Sequence, residues 1–102
     1  MFLSKAKINK LSETELLDHS IQFWHNLKNN FDKFDKLELF RLLCYCIGDS
    51  LTITENSNFI KLSYVEIIDE FTKIYNSLNF SKKVKAFDEL LSRFDNIIRI
   101  KR

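Results

Sequence analysis

The side chains of this chain that could do chemistry are few, and their spacing argues against most reactions. His19 and His25 stand six residues apart. On a helix that is about 240° of rotation, so the two rings do not share a face. No His-Glu-x-x-His pair is present, so the usual helical zinc-protease arrangement is missing. Cys44 and Cys46 are two apart, and residues i and i+2 point to nearly opposite sides of a helix, so they cannot bond to each other there. A structural zinc site needs about four ligands at recognisable spacing, and two Cys with two distant His do not supply it. Both cysteines read as small buried hydrophobes. The sequence has one glycine, which leaves no Gly-rich phosphate loop, no dinucleotide fingerprint and no Gly-x-Ser-x-Gly elbow. The paired carboxylates Asp69-Glu70 and Asp88-Glu89 fall on outer helix faces, where they are solvated. The sequence therefore predicts no enzyme, no metal and no cofactor.

What remains is binding, and charge is its first guide. The net charge is +2, but it is unevenly spread. Residues 1–10 carry Lys5, Lys7 and Lys10; residues 11–78 are net −5; residues 79–102 are net +4. Basic ends surround an acidic body. The acids Glu13, Glu15, Asp18, Glu66, Asp69 and Glu70 fall on the outer faces of two expected helices and form a candidate partner-binding surface, with Phe31 or Tyr45 as an aromatic anchor. Such a surface suits a basic protein partner through electrostatic complementarity. The alternative is a basic patch of Lys82, Lys83, Lys85, Arg93, Arg99, Lys101 and Arg102 for nucleic acid, with a salt-dependent affinity. Against it stand the acidic body and the absence of a short helix-turn-helix link, since residues 48–63 separate the second and third helices.

These groups need elements to position them, and the elements are helical. Ser12-Glu13-Thr14-Glu15 is a capping box, with Leu11 and Leu16 placed as a hydrophobic staple. Leu16, Leu17, Ser20, Ile21, Phe23, Trp24 and Leu27 then repeat at helical spacing, which predicts a helix over 13–29. Asp35-Lys36-Leu37-Glu38 has the same capping pattern and opens a second helix over 36–47. In Leu37–Gly48, nine residues are apolar or aromatic and Glu38, Arg41 and Tyr45 share one narrow strip. A helix greasy over most of its circumference belongs in the middle of a domain, so this one is expected at the centre, with Glu38 and Arg41 bridged along it. Residues 51–62 alternate in a way that suits a small β-hairpin. Ser63-Tyr64-Val65-Glu66 is a third capping box, and Tyr64, Ile67, Ile68, Phe71, Ile74, Tyr75 and Leu78 form an unbroken stripe over 64–78. Ser81 is the expected cap of a fourth helix with Val84, Phe87, Leu90, Leu91 and Phe94 inward. That helix either stops at Asp95-Asn96 or runs on to Ile100.

Four helices with short links predict an all-α, antiparallel four-helix bundle forming a single helical domain over 1–102. Hydrophobic content of 45% and charge of 29% fit a soluble globular chain. No apolar run approaches the roughly 20 residues needed to span a bilayer, and residues 1–7 lack the features of a secretory signal. The expected location is the cytoplasm, with no membrane partner. The sequence has no proline and abundant Asn, Ile, Lys and Phe, the mark of an AT-rich bacterial or phage coding sequence. In size and helical character the chain is similar, as a class, to bacterial immunity proteins and phage-encoded inhibitors, anti-CRISPR proteins among them. The likeness implies a small protein that neutralises a partner by docking, such as a nuclease toxin or a defence nuclease. A nucleic-acid-binding regulator and a homodimer are the other expectations.

Overall fold

The computed structural model describes residues 8–47 and 61–100, with side chains as far as Asp95. Among them are four helices: α1 (Glu13–Asn29), α2 (Lys36–Ile47), α3 (Tyr64–Ser77) and α4 (Phe80–Ile100). A single 3₁₀ turn, Phe31–Lys33, joins α1 to α2. No strand occurs among the described residues. The hairpin expected over 51–62 lies outside them except for Lys61 and Leu62, which are not extended.

Each helix begins where its cap chemistry begins. Ser12 Oγ accepts from the Glu15 N–H at 3.2 Å, and Glu15 Oε1 accepts from the Ser12 N–H at 3.0 Å. Ser63 and Glu66 repeat the pair with the same distances. These reciprocal bonds satisfy two of the orphan donors that every helix start carries. They also hold the Glu15 and Glu66 carboxyls below their ordinary value, chiefly through the bond from the cap backbone, with the serine hydroxyl side adding to it. At α2, the Asp35 carboxylate accepts from the N–H groups of Leu37 and Glu38. At α4 the cap differs from expectation. Asn79, not Ser81, caps the helix: its Oδ1 accepts from the Lys82 N–H and its carbonyl from the Lys83 N–H, both at 2.9 Å. Asn is as good a cap as Ser, and the earlier start brings Phe80 into the first turn. α3 ends at Ser77 rather than Leu78, because Leu78 takes an extended conformation (φ −72°, ψ 151°).

The helices pack so that α1 meets α3 and α4, α2 meets α3 and α4, and α3 and α4 touch more lightly. α1 and α2, though consecutive, lie across the core from each other without a shared face of that extent. This corrects the expectation that α2 is central. α2 buries Leu39, Phe40, Leu43, Cys44 and Cys46, but Leu37, Glu38, Arg41 and Tyr45 are exposed. No ion pair joins Glu38 to Arg41. Burial pushes the Cys44 thiol up to about 11 and the Cys46 thiol up to about 12, the latter with help from the nearby Glu89 carboxylate.

The centre of the core is aromatic. Phe23 of α1 is fully buried and stands edge-on to Trp24, Phe87 and Phe94, with ring centroids 5.3, 6.1 and 5.9 Å away. Phe94 also meets Phe34 of the connector at 5.1 Å, and Trp24 meets Tyr75 of α3 at 5.9 Å. Phe40 and Phe71 make the matching edge contact between α2 and α3. At Phe94 the backbone leaves helical values (φ −121°, ψ 24°), and α4 bends there before resuming to Ile100. Both sequence alternatives for this stretch are thus partly met: the interruption comes one residue before Asp95-Asn96, and helix continues beyond it.

Truncating the shared ring, Phe23→Ala, removes the edge contacts to two other helical turns at once and leaves a void. Loss of about 3–5 kcal/mol of unfolding free energy is expected in urea titration. The caps predict a pH dependence. The folded carboxyls of Glu15 and Glu66 are lowered, so the stability they supply is fully present above the ordinary glutamate value of 4.5 and is lost as the pH falls through their lowered folded values. In Ser12→Ala/Ser63→Ala, each lost cap costs about 1 kcal/mol near neutrality, and melting followed by circular dichroism flattens between neutral and acid pH relative to the parent.

Candidate docking groove

α1 leaves two aliphatic side chains outside the core. Leu17 and Ile21 are 50% and 58% exposed, one turn apart on the same helix face. They form one lip of a groove whose other side is Thr72 and Asn76 of α3 and whose end is closed by Phe80 and Lys83 of α4. Two adjoining hollows make it up, of about 390 and 560 Å³, and Leu17, Ser20, Asn76 and Lys83 line both. The early start of α4 at Asn79 is what puts Phe80 and Lys83 at this edge.

The floor is polar and organised. Ser20 Oγ donates to the Leu16 carbonyl at 2.7 Å. Its only proton is thereby used, so the hydroxyl of Tyr75, 2.6 Å away, donates to Ser20 Oγ. Burial raises the Tyr75 phenol above its ordinary value, and the bond to Ser20 opposes this only in part, so the phenol stays protonated. Trp24 forms part of the wall of the larger hollow and is only 5% exposed. Its Nε1–H is buried and has no hydrogen-bond partner among the described residues. Few buried polar groups in folded proteins go unpartnered. At the far end, Asn29 Nδ2 donates to His25 Nε2 at 3.1 Å, and Lys28 of α1 pairs with Asp69 of α3, tying the two helices across the groove.

The six acids named from sequence divide sharply. Glu15 and Glu66 are committed to caps. Asp69 pairs with Lys28, and Glu70 with Lys73 at 3.3 Å. Glu13, at the rim of the smaller hollow, and Asp18 are exposed and have no partner for their carboxylates among the described residues. Of the basic set, Lys82, Lys83 and Lys85 sit in the opening turns of α4. Arg93 is engaged instead, 3.7 Å from Glu89 and with its guanidinium 4.5 Å above the Tyr45 ring. The side chains of Arg99, Lys101 and Arg102 lie outside the described residues. Of the two expected anchors, Tyr45 is 63% exposed. Phe31 is half-buried and stacked on Tyr64 at 4.8 Å, while the Tyr64 hydroxyl donates to the Phe34 carbonyl. That ring fixes the connector.

Sequence reasoning passed over Leu17, Ile21, Trp24 and Lys83 as groove residues. The signal for the first two was present: the apolar stripe of α1 is wider than one packing face needs, and its surplus is what remains outside.

Among the described residues, no group of three or more His, Cys, Asp or Glu is placed to hold a metal ion, and no helix is long and apolar enough to cross a membrane. Compared with family models, curated proteins and solved structures, the chain matches none significantly. The class that fold and site define is that of a small protein whose described elements are all helical, compatible with a helical bundle, carrying an open groove along α1.

The hydroxyl pair under the groove can be tested on its own. Ser20→Ala strands the Tyr75 hydroxyl in the interior, at a cost of about 1–3 kcal/mol. Adding Tyr75→Phe removes the stranded group, so the double variant is more stable than the Ser20→Ala single in the same denaturant titration.

Proposed function

We propose that the protein is a small inhibitor that acts by docking on another protein, of the immunity-protein or phage-inhibitor type, with the outer face of α1 as its contact. The observation that carries this reading is the line Glu13, Leu17 and Ile21 with Asp18 beside it. Two aliphatic side chains at least half exposed are bracketed by two carboxylates that no described group neutralises. Apolar anchors inside a charged rim are the usual anatomy of a contact surface. The free carboxylates favour a basic partner, such as a nuclease toxin or defence nuclease, and would speed encounter with it. The acids Glu15, Glu66, Asp69 and Glu70 then contribute field rather than direct contacts, since each already has a structural partner. This reading takes the helices as an antiparallel bundle acting in the cytoplasm.

A second reading, a nucleic-acid-binding regulator, is favoured by Lys82, Lys83 and Lys85, whose ammonium groups have no ion-pair partner among the described residues. In a gel shift it predicts retention of DNA or RNA that weakens steeply with salt.

The docking reading is tested by recovering the tagged protein with its stoichiometric partner from host lysate and measuring their association by surface plasmon resonance. Glu13→Lys/Asp18→Lys is expected to slow association roughly tenfold at low salt, and Ile21→Asp to speed dissociation. Unchanged kinetics in both variants would refute the contact surface.

A further inference from the structure

We propose that the protein forms a weak, reversible homodimer in which α1 of one copy lies parallel to α1 of the other, with Leu17 and Ile21 packed across a two-fold axis and Asp18 of each copy meeting Lys83 of the other. This does not rest on the docking reading; a copy and a foreign partner would exclude each other from the same face.

The ridge on α1 supplies the first argument. Leu17 and Ile21 are each at least half exposed and stand one turn apart. At about 100° per residue, Asp18 lies roughly 60° beyond Ile21 on one side of this ridge, and Ser20 roughly 60° before Leu17 on the other. Lys83 borders both hollows together with Ser20, so it stands on the Ser20 side. The ridge therefore has an acid on one flank and a lysine on the other. Neither has an ion-pair partner among the described residues.

This placement of charge selects the occupant. A surface of one sign answers one flank only, whereas a second copy carries both signs. Symmetry then selects the direction. An axis running along the ridge exchanges the flanks, so Asp18 of each copy faces Lys83 of the other. An axis across the ridge makes the helices antiparallel and sets Asp18 beside Asp18 and Lys83 beside Lys83. Charge is complementary in the parallel arrangement and repulsive in the antiparallel one. Glu13 also borders the smaller hollow, but it makes no ion pair with Lys83 and stands roughly 7.5 Å below Asp18 along the helix. Further along α1, Lys28 is held by Asp69 of its own chain. Two aliphatic side chains per copy bury far less than the roughly 1,200 Å² of a stable interface, which makes the dimer weak.

Sedimentation velocity of the full chain, over a dilution series that reaches the millimolar range, tests this. The mass is expected to rise with concentration from that of one chain toward that of two. Ile21→Asp, at an exposed position, should stay monomeric throughout with unchanged far-ultraviolet dichroism. Asp18→Lys and Lys83→Glu each create two like-charge contacts and should weaken the dimer roughly tenfold at low salt. Combined, Asp18→Lys/Lys83→Glu should restore an affinity close to the parent's. A monomeric mass at every concentration would overturn the proposal and leave the docking reading standing. A dimer indifferent to Ile21→Asp would overturn it by placing the contact on another face. So would single charge reversals that change nothing, which is the antiparallel outcome, or a double reversal that fails to recover.

Discussion

The fold depends on one packing constraint, the burial of Phe23 among the edges and faces of other rings. Edge-to-face aromatic contacts are directional, since each places the positive rim of one ring on the negative face of another. Phe23 makes three of them, to Trp24 beside it and to Phe87 and Phe94 of α4. The last two lie seven residues apart, two turns of α4, so one ring fixes both the rotation of α4 and its height against α1. Phe94 carries the constraint on to Phe34, which ties the connector before α2 into the same cluster. The bend of α4 falls at that residue. With no proline in the chain and no glycine near, the usual covalent causes of a kink are missing. The residue held between Phe23 and Phe34 is where the helix departs from regularity.

This constraint also explains which features could be read from sequence. Helix ends were legible because they are local. A serine followed three residues later by a glutamate sets α1 and α3 through bonds within four residues, and α1 and α2 begin and end where pattern alone puts them. The stripe on α3 from Tyr64 to Leu78 was legible for the same reason: periodicity states which face is inward without saying what it meets. Packing order was not legible. The apolar richness of Leu37–Gly48 suggested a central helix, yet richness measures how much of a helix wants burial, not how much neighbouring surface is available. α2 has α3 and α4 as neighbours and leaves Leu37 and Tyr45 in solvent. Asn79 and Ser81 are both chemically sound caps, and local chemistry alone did not say that Asn79 would be the one used.

The groove follows from the same arithmetic on α1. A helix packed on two neighbours buries a face, and α1 buries Leu16, Ser20, Phe23, Trp24 and Leu27 against α3 and α4. Leu17 and Ile21 extend the stripe past the edge of that face. Their neighbour Ser20 marks the border, because a buried hydroxyl there needs partners and finds them in Leu16 and Tyr75. The Ser20–Tyr75 hydroxyl pair joins α1 to α3 at this border, and Leu17 and Ile21 lie beyond it, exposed. Spacing in sequence could show Ser20 in the stripe but not that its partner would be a tyrosine 55 positions away.

Charge read from sequence needs a comparable correction. Six acids on two helices look like one negative surface when counted. In the folded chain, Glu15 and Glu66 close their own caps, Asp69 joins α3 to α1 through Lys28, and Glu70 holds Lys73. Carboxylates in the first turn of a helix are placed there by the needs of the helix start, so their abundance follows from helical content as much as from any partner. The basic stretch behaves alike, since Arg93 is spent on Glu89 and the Tyr45 ring. A surface charge bears on recognition only after the charges required by the fold are set aside. Of the acids and bases weighed for recognition, that leaves Glu13 and Asp18 on the outer face of α1, and Lys82, Lys83 and Lys85 in the opening turns of α4, with Lys83 at the groove. Opposite signs thus stand within the reach of one helix, the acids bracketing exposed aliphatic groups and the lysine facing a hollow with a buried donor in its wall. Glu13 and Lys83 meet around the smaller hollow, so which charges stand together is decided by helix packing and not by the net charge of either half of the chain.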